Sequence, residues 1–280
     1  MTRLKDIRLI ALDLDDTTLR SDGSLSGQTR AAIEAAIDAG LEIVIASGRA
    51  LHSLPKAVTE IPGIRYAVTS NGAAVVSVAD GERLVSLTLH PDTVHELIAI
   101  FGGEPLECFI DGQAYCDAQY IANPVRFGCS EAYVDYVKTT RLPVEDMKRF
   151  ILDNVDRLDS VDVLCGGAGH RDELWEKALT LPKAYITSSS PRLIEISDAG
   201  AGKGASLRRL CAILNIPAGA VAAFGNGDND ADMLAFAGLG VAMKNATAAC
   251  IASADLVCGS NDEHGVAQML YKIIGDKQKQ

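Results

Sequence analysis

Residues 9–17 read LIALDLDDT, an apolar run followed at once by carboxylates, and this stretch decides the fold. Four apolar residues in succession indicate a strand buried on both faces, as in a parallel sheet. Asp13 and Asp15 are two residues apart at the end of that strand, so their side chains point in roughly the same direction. Like charges held together raise each other's pKa and resist desolvation. A cation beside them or a shared proton resolves this conflict, so the sequence indicates a chemical site.

The rest of the chain alternates strand-like and helix-like segments, which is typical of a parallel α/β sheet. Further apolar runs that we interpret as strands cover residues 41–46, 66–69, 220–224 and 240–243. Polar residues follow such runs, and open parallel sheets bind ligands at the carboxyl ends of their strands. Ser47 or Asn71 alone would be typical of a helix cap or a turn. Together these loops predict one crevice that contains Asp13, Asp15, Ser47, Asn71, Asn229 and Asp230.

The middle of the chain, from about Gly81 to Ser190, is less regular. The dipeptide Asp111-Gly112 separates two β-like pieces and is a hairpin signal. Candidate strands at 107–110 and 160–164 lie beside candidate helices at 144–153 and 171–179. We therefore predict an α/β fold with a Rossmann-like parallel-sheet core and an inserted α+β cap domain that folds over the crevice. The predicted bounds are 1–82 and 190–280 for the core and 83–189 for the cap.

Composition excludes several classes of protein. The formal net charge of −11 over 280 residues argues against binding to a nucleic-acid backbone, which requires clustered Lys and Arg. No apolar run approaches the length of a membrane span, and the first residues lack the layout of a signal peptide. Seven cysteines without C-x-x-C spacing indicate reduced, mostly buried thiols. We expect a cytoplasmic protein without a nucleic-acid or membrane partner, and the sequence does not indicate its oligomeric state.

Four short motifs occur in an order that resembles the haloacid dehalogenase superfamily. They are Asp13-x-Asp15-x-Thr17, Ser47 after an apolar strand, Lys203 before a helix, and Gly225-Asn226-x-x-Asn229-Asp230. The phrases at 45–49, 70–73, 240–246 and 262–267 are similar to the Cof-type phosphatase branch. That branch carries a large cap between the second and third motifs, where this chain has its irregular segment.

The resemblance implies an aspartyl-phosphate mechanism. Asp13 would be the nucleophile, which splits hydrolysis into two easier steps. Asp15 would protonate the leaving alcohol and then deprotonate the attacking water. Mg²⁺ would bridge Asp13 and the phosphoryl oxygens and so reduce the repulsion between two anions.

The resemblance also implies the remaining contacts. Lys203 would neutralise charge on the transferring group, and Thr17 would brace the turn after the strand. The residues implied to hold the phosphate are Leu14, Ser47, Gly48, Lys203 and Asn229. The residues implied to bind the metal are Asp13, Asp15, Asn226 and Asp230.

Asn226 departs from the family pattern, which most often has Asp after the glycine of this motif. An amide oxygen can bind Mg²⁺ but brings no negative charge. We therefore expect a metal site that persists through Asp230 but binds more weakly. The alternative is that the nearby acid Asp228 supplies the missing charge.

The function implied is Mg²⁺-dependent hydrolysis of small phosphomonoesters, with a small phosphorylated metabolite such as a sugar phosphate as substrate. A phosphosugar mutase of the same superfamily is the alternative, since it would use the same aspartyl phosphate and return the phosphate to a sugar. A non-enzymatic receiver domain is a remote alternative, because receivers place the phosphorylated Asp on a later strand, where this chain has Ser47. A dehalogenase is disfavoured, because it needs neither Mg²⁺ nor the second Asp.

Overall fold

The computed structural model describes residues 4–127 and 129–277. Its strands are β1 (Leu9–Leu12), β2 (Glu42–Ala46), β3 (Tyr66–Thr69), β4 (Ala74–Ser77), β5 (Arg83–Ser86), β6 (Leu106–Ile110), β7 (Gln113–Asp117), β8 (Arg141–Val144), β9 (Leu158–Leu164), β10 (Ala184–Thr187), β11 (Leu193–Asp198), β12 (Val221–Gly225), β13 (Leu239–Ala242) and β14 (Leu256–Val257). Its α-helices are α1 (Gly27–Asp38), α2 (Lys56–Thr59), α3 (Pro91–Phe101), α4 (Ala118–Ala122), α5 (Val134–Thr140), α6 (Met147–Asp153), α7 (Ala168–Ala178), α8 (Lys203–Ile213), α9 (Ala231–Phe236), α10 (Ala248–Ala252) and α11 (Gly265–Lys277).

The chain divides into two compact units. The first unit comprises the chain up to Gly48, Leu54–Val85 and the chain from Gly202 onward. The second unit comprises Arg49–Ser53 and Ser86–Ala201. Within residues 4–127 and 129–277, none of the helices combines the length and the apolar composition that a bilayer crossing requires.

The first unit is built on an eight-stranded sheet in the order β14-β13-β12-β1-β2-β3-β4-β5. The strands from β14 to β3 are parallel, and β4 runs antiparallel to β3. Leu12 is paired with Ile45 on one side and with Phe224 on the other. Because these three residues lie near the carboxyl ends of parallel neighbours, the loops after β1, β2 and β12 begin at the same edge.

Both faces of this sheet are covered, which explains why its central strands are apolar throughout. Leu9 and Ala11 of β1 pack in one core cluster with Leu207 and Leu210 of α8. Side chains alternate along a strand, so the neighbouring residues of β1 face the opposite side. The helices α1 and α11 contact each other.

The second unit contains a six-stranded sheet in the order β10-β11-β9-β6-β7-β8. Neighbouring strands are antiparallel except for β7 and β8. One face packs against α3, α6 and α7 in an apolar core that includes Leu97, Phe101 and Ile151. The hairpin predicted at Asp111-Gly112 joins β6 to β7, and both of its residues have positive φ, as a two-residue hairpin turn requires.

The other face of the second sheet carries three buried acids side by side. Glu107 is paired with Asp162, and Asp162 is paired with Glu195, on three adjacent strands. Arg141 forms an ion pair with Glu107 at 2.8 Å. Burial raises the pKa of Asp162 well above its ordinary value, and the negative charges of Glu195 and Glu107 add to the effect.

The inserted segment differs in detail from the sequence prediction. The second unit extends to Ala201, beyond the predicted boundary at residues 189 and 190, because β11 pairs with β9 and β10. The predicted helix at 144–153 begins only at Met147, since Arg141–Val144 forms a strand beside β7. The predicted strands at 107–110 and 160–164 are confirmed as parts of β6 and β9. The seven cysteines are free thiols, and five of them are buried.

Candidate active site

The turn after β1 presents Asp13 at the edge of the first sheet. The backbone N–H of Asp13 donates to Phe224 O at 3.1 Å, which continues the ladder by one residue beyond β1. The Thr18 hydroxyl donates to Asp13 O at 2.5 Å, and Leu19 N–H donates to Leu14 O at 2.8 Å. Asp16 has φ 55°, a left-handed conformation that Asp tolerates better than most residues. The chain therefore reverses tightly and keeps Asp13 and Asp15 at the same end of the strand.

Lys203 bridges two carboxylates in the interior of the first unit. Its ammonium group donates to Asp13 Oδ1 at 2.7 Å and to Asp230 Oδ1 at 2.6 Å. The exposed fractions of the three residues are 5% for Asp13, 1% for Lys203 and 0% for Asp230. Two acids and one cation leave this buried triad with an excess of one negative charge when all three are ionised.

The pKa shifts of this triad follow from burial and from that imbalance. Desolvation raises the pKa of Asp13 to about 7, and the charge of Asp230 adds to the increase. The positive charge of Lys203 and its hydrogen bond act in the opposite direction. The two carboxylates raise the pKa of the Lys203 ammonium group above its ordinary value, against the effect of burial. Lys203 is therefore a permanent cation in this site.

Asp230 accepts a hydrogen bond from Lys203 and also holds the loop of the fourth motif in place. Its Oδ2 accepts hydrogen bonds from the backbone N–H groups of Asn226 and Gly227, both at 2.9 Å. A Cβ on Gly225 would lie 2.4 Å from Asp230 Cβ, so only glycine leaves room for this carboxylate. Both oxygens of Asp230 thus accept hydrogen bonds from the chain itself. Its assignment as a metal ligand stays a prediction.

The side-chain amide of Asn226 lies beside Oδ2 of Asp13, the oxygen that Lys203 does not bind. One terminal position of its side-chain amide lies 3.1 Å from Asp13 Oδ2, 2.9 Å from Asp15 O and 2.7 Å from Thr17 Oγ1. When the nitrogen takes this position, its two N–H groups have these three oxygens as acceptors. When the oxygen takes it, Thr17 Oγ1 donates to Asn226 Oδ1 at 2.7 Å.

The same three groups fit a small divalent cation. Oxygen ligands lie about 2.1 Å from Mg²⁺ in an octahedron, so neighbouring ligands are about 3 Å apart. The amide position of Asn226 is at this spacing from both Asp13 Oδ2 and Asp15 O. In residues 4–127 and 129–277, no three His, Cys, Asp or Glu side chains gather as a metal-binding group. The candidate donors are instead one carboxylate, one backbone carbonyl and one amide.

The loops after β2, β3 and β12 meet beside the buried triad of Asp13, Lys203 and Asp230. Asn71 N–H donates to Ser47 O at 3.3 Å, and Asn229 Nδ2 donates to Asn71 Oδ1 at 3.0 Å. Ser47, Asn71 and Asn229 are all buried. Gly202 N–H donates to Asn71 O at 2.9 Å, which ties this loop to the start of α8 and hence to Lys203. The loops that carry Ser47, Asn71 and Asn229 therefore lie together in the first unit.

The loop at Gly72 determines how closely α8 approaches. Gly72 has φ 92°, and a Cβ there would lie 2.2 Å from Gly202 O. The Ser206 hydroxyl donates to Gly72 O at 2.5 Å, one turn into the helix. Leu14 is buried in the turn after β1, and Gly48 is half-buried after Ser47. The phosphate-binding roles of Leu14, Ser47, Gly48, Lys203 and Asn229 stay predictions.

Sequence reasoning missed two residues that hold the turn of the first motif. Asn245 Nδ2 donates to Asp16 O at 2.8 Å, and Asn261 Nδ2 donates to Leu19 O at 3.2 Å. Both asparagines follow strands of the parallel sheet, as the other site residues do. Their position after β13 and β14 was the signal that could have found them.

Known proteins resemble the chain over almost its whole length. Residues 10–270 match the family described as haloacid dehalogenase-like hydrolase. The phosphatase YwpJ of Bacillus subtilis is 29% identical over 96% of this chain and 100% of its own length. The 5-amino-6-(5-phospho-D-ribitylamino)uracil phosphatase YwtE of Bacillus subtilis is 29% identical over 96% of this chain and 98% of its own length.

A solved structure agrees with these sequence relationships. The structure of a haloacid dehalogenase-like hydrolase from Bacillus subtilis superposes with a TM-score of 0.81 at 27% identity, and covers 95% of this chain and 99% of that one. The four motifs, the parallel sheet and the family match agree with one another. The chain therefore belongs to the haloacid dehalogenase-like hydrolases, in their Cof-type phosphatase branch.

Proposed function

We propose that this protein is a Mg²⁺-dependent phosphatase that hydrolyses small phosphomonoesters, such as sugar phosphates, through an aspartyl phosphate on Asp13. The observation that supports this best is the environment of the Asp13 carboxylate. Its Oδ1 accepts a hydrogen bond from Lys203 at 2.7 Å, and its Oδ2 lies 3.1 Å from the Asn226 amide. A carboxylate held on both sides at a strand end is oriented for attack on a phosphorus atom.

The chain's own residues divide the reaction between them. Asp13 attacks phosphorus, and Asp15 gives its proton to the oxygen of the leaving alcohol. Asp15 then takes a proton from the water that attacks the aspartyl phosphate, which releases inorganic phosphate and restores Asp13. Lys203 stabilises the negative charge on the transferring group. The residues that we assign to holding the phosphoryl oxygens are Leu14, Ser47, Gly48 and Asn229.

Asp13, Asp15 and Asn226 would hold Mg²⁺ through the three oxygens described above. The ion, when bound, supplies the positive charge that allows a carboxylate to approach a phosphate dianion. We assign Asp230 a positioning role, because its two oxygens accept hydrogen bonds from Lys203 and from the loop backbone. This protein is proposed to act in the cytoplasm.

The relatives suggest where to look for the substrate. YwtE is named for a phosphorylated ribitylamino-uracil, a phosphomonoester of a polyol chain. We therefore include polyol phosphates beside sugar phosphates among the candidate substrates. The leaving group in both classes is an alkoxide that needs a proton, which matches the role assigned to Asp15.

A phosphate-release screen tests the proposal. The purified protein is incubated with Mg²⁺ and a panel of sugar phosphates, polyol phosphates and phosphorylated acids, and free phosphate is measured. Asp13→Asn, purified in parallel, controls for contaminating phosphatases. We expect release by the wild type alone. Isomer formation without free phosphate would favour the mutase, and equal release by Asp13→Asn would contradict the assigned nucleophile.

A further inference from the structure

The amide of Asn226 has hydrogen-bonding partners that a carboxylate at this position would repel. We propose that Asn226 occupies the metal site of the metal-free protein with its N–H groups, and that cation binding requires this amide to rotate by half a turn. The proposal rests on the proposed function only in taking Asp13, Asp15 and Asn226 as the metal-binding groups. It adds that, without a cation, the Asn226 N–H groups donate hydrogen bonds to the oxygens of the metal site.

The contacts of Asp13 support the first half of this proposal. The Lys203 ammonium group donates to Oδ1 of Asp13, and the site-facing terminal position of the Asn226 amide lies 3.1 Å from Oδ2, where a nitrogen would donate to it. The same position lies 2.9 Å from the carbonyl oxygen of Asp15, so both contacts favour nitrogen there. With the nitrogen in this position, each oxygen of Asp13 has a donor, although the residue is buried. A hydrogen bond to each oxygen offsets part of the cost of burying this carboxylate.

Thr17 allows the amide to occupy either orientation. Its hydroxyl lies 2.7 Å from the terminal position of the amide that faces the site. A hydroxyl accepts a hydrogen bond when that position is nitrogen and donates one when it is oxygen. The two orientations have the same shape, so rotation changes the hydrogen bonds but not the packing.

A carboxylate at position 226 would behave differently. Its oxygen would lie about 3 Å from Asp13 Oδ2 and Asp15 O, with no proton between them, and such contacts are repulsive without a cation. An Asp-containing site is thus destabilised when empty and gains more when a cation binds. With Asn226, cation binding replaces two N–H donations and brings one negative charge fewer.

Thermal unfolding of the full chain tests this proposal without an activity measurement. Wild type and Asn226→Asp are compared in excess EDTA and in a Mg²⁺ titration. Asn215→Asp is the matched control, because Asn215 is exposed in the same unit and the substitution adds the same charge. We expect Asn226→Asp to lower the metal-free Tm by roughly 4 °C or more relative to the control. We expect its half-saturating Mg²⁺ concentration to be about tenfold lower than that of wild type.

A metal-free Tm of Asn226→Asp equal to or above that of the control would overturn the proposal. If the variant fails to fold, NMR of the wild-type side-chain amides gives the answer, with the Asn226 signals assigned by their loss in Asn226→Ser. The proposal requires these signals to shift and exchange faster when Mg²⁺ binds. Unchanged signals at a Mg²⁺ concentration that saturates phosphate release would contradict it. Absence of any phosphate release would instead count against the proposed function alone.

Discussion

The Lys203 ammonium group donates a 2.7 Å hydrogen bond to the Asp13 carboxylate across 190 positions of sequence, with both side chains buried. The start of α8 carries the lysine to the end of β1, and Asp230 from the loop after β12 binds the same ammonium group. Residues of three sequence motifs are thus joined through the Lys203 ammonium group. If the proposed mechanism holds, the stability of the first unit and its chemistry depend on the same ion pair.

Removal of the cation tests that dependence. Lys203→Met should abolish activity and lower the free energy of unfolding by about 3–5 kcal/mol, because it leaves two carboxylates buried without a counter-charge. Urea unfolding of the single variant and of Lys203→Met with Asp13→Asn measures the coupling. The double variant should recover part of the loss, and strictly additive effects would show that the two charges do not interact.

Asp13→Asn should lose turnover and gain stability in the metal-free protein as pH rises. Burial holds the pKa of Asp13 at about 7 in the folded state, above the value of about 3.8 in the unfolded chain. The folded state thus binds the proton more tightly, so wild-type stability falls as pH increases from about 4 to about 7. The stability of Asp13→Asn does not fall in this way, because its amide does not titrate. In EDTA, the Tm values of the two proteins should differ little near pH 4, and at pH 8 the Tm of Asp13→Asn should be higher by roughly several degrees.

Gly72→Ala should separate Lys203 from Asp13. A Cβ at this residue would lie 2.2 Å from Gly202 O, so the loop or the start of α8 must move. The positive φ adds backbone strain. We expect the free energy of unfolding to fall by about 2–3 kcal/mol and kcat to decrease. Gly40→Ala is the control, since Gly40 has φ 78° and no atom lies within 4 Å of a Cβ there. Equal effects of the two substitutions would show that the close approach is unimportant.

Asp162→Asn should stabilise the protein, although it lies in the second unit. Its carboxylate is buried between Glu107 and Glu195, and its pKa is raised well above its ordinary value. At neutral pH the folded carboxyl group either carries an unfavourable charge or holds a proton that the unfolded chain would release, and an amide of the same shape removes this cost. Thermal unfolding at pH 7 should show a higher Tm than for Asp156→Asn, an exposed control. A lower Tm would mean that the charged carboxylate has a stabilising partner.

The sequence predicted those parts of the fold that depend on local patterns. The apolar run before Asp13 identifies β1, and the rule for parallel sheets places Asp13, Ser47 and Asn229 at one edge. The placement of β11 was missed, because alternation identifies a strand but long-range pairing decides which sheet it joins. The hydrogen bonds of Asp230 could not be predicted from the sequence either, since they depend on the backbone conformation of its loop.

The most direct test of the central claim is a pre-steady-state experiment on Asp15→Asn with p-nitrophenyl phosphate and Mg²⁺. This leaving group needs no proton, so Asp13 should still be phosphorylated, whereas hydrolysis of the aspartyl phosphate lacks its base. The account predicts a burst of one p-nitrophenol per active site. It also predicts a hydroxylamine-sensitive phosphate on the tryptic peptide of residues 9–20, which is absent when Asp13→Asn is added. Steady turnover by Asp15→Asn without a burst, or phosphate on a different peptide, would contradict it.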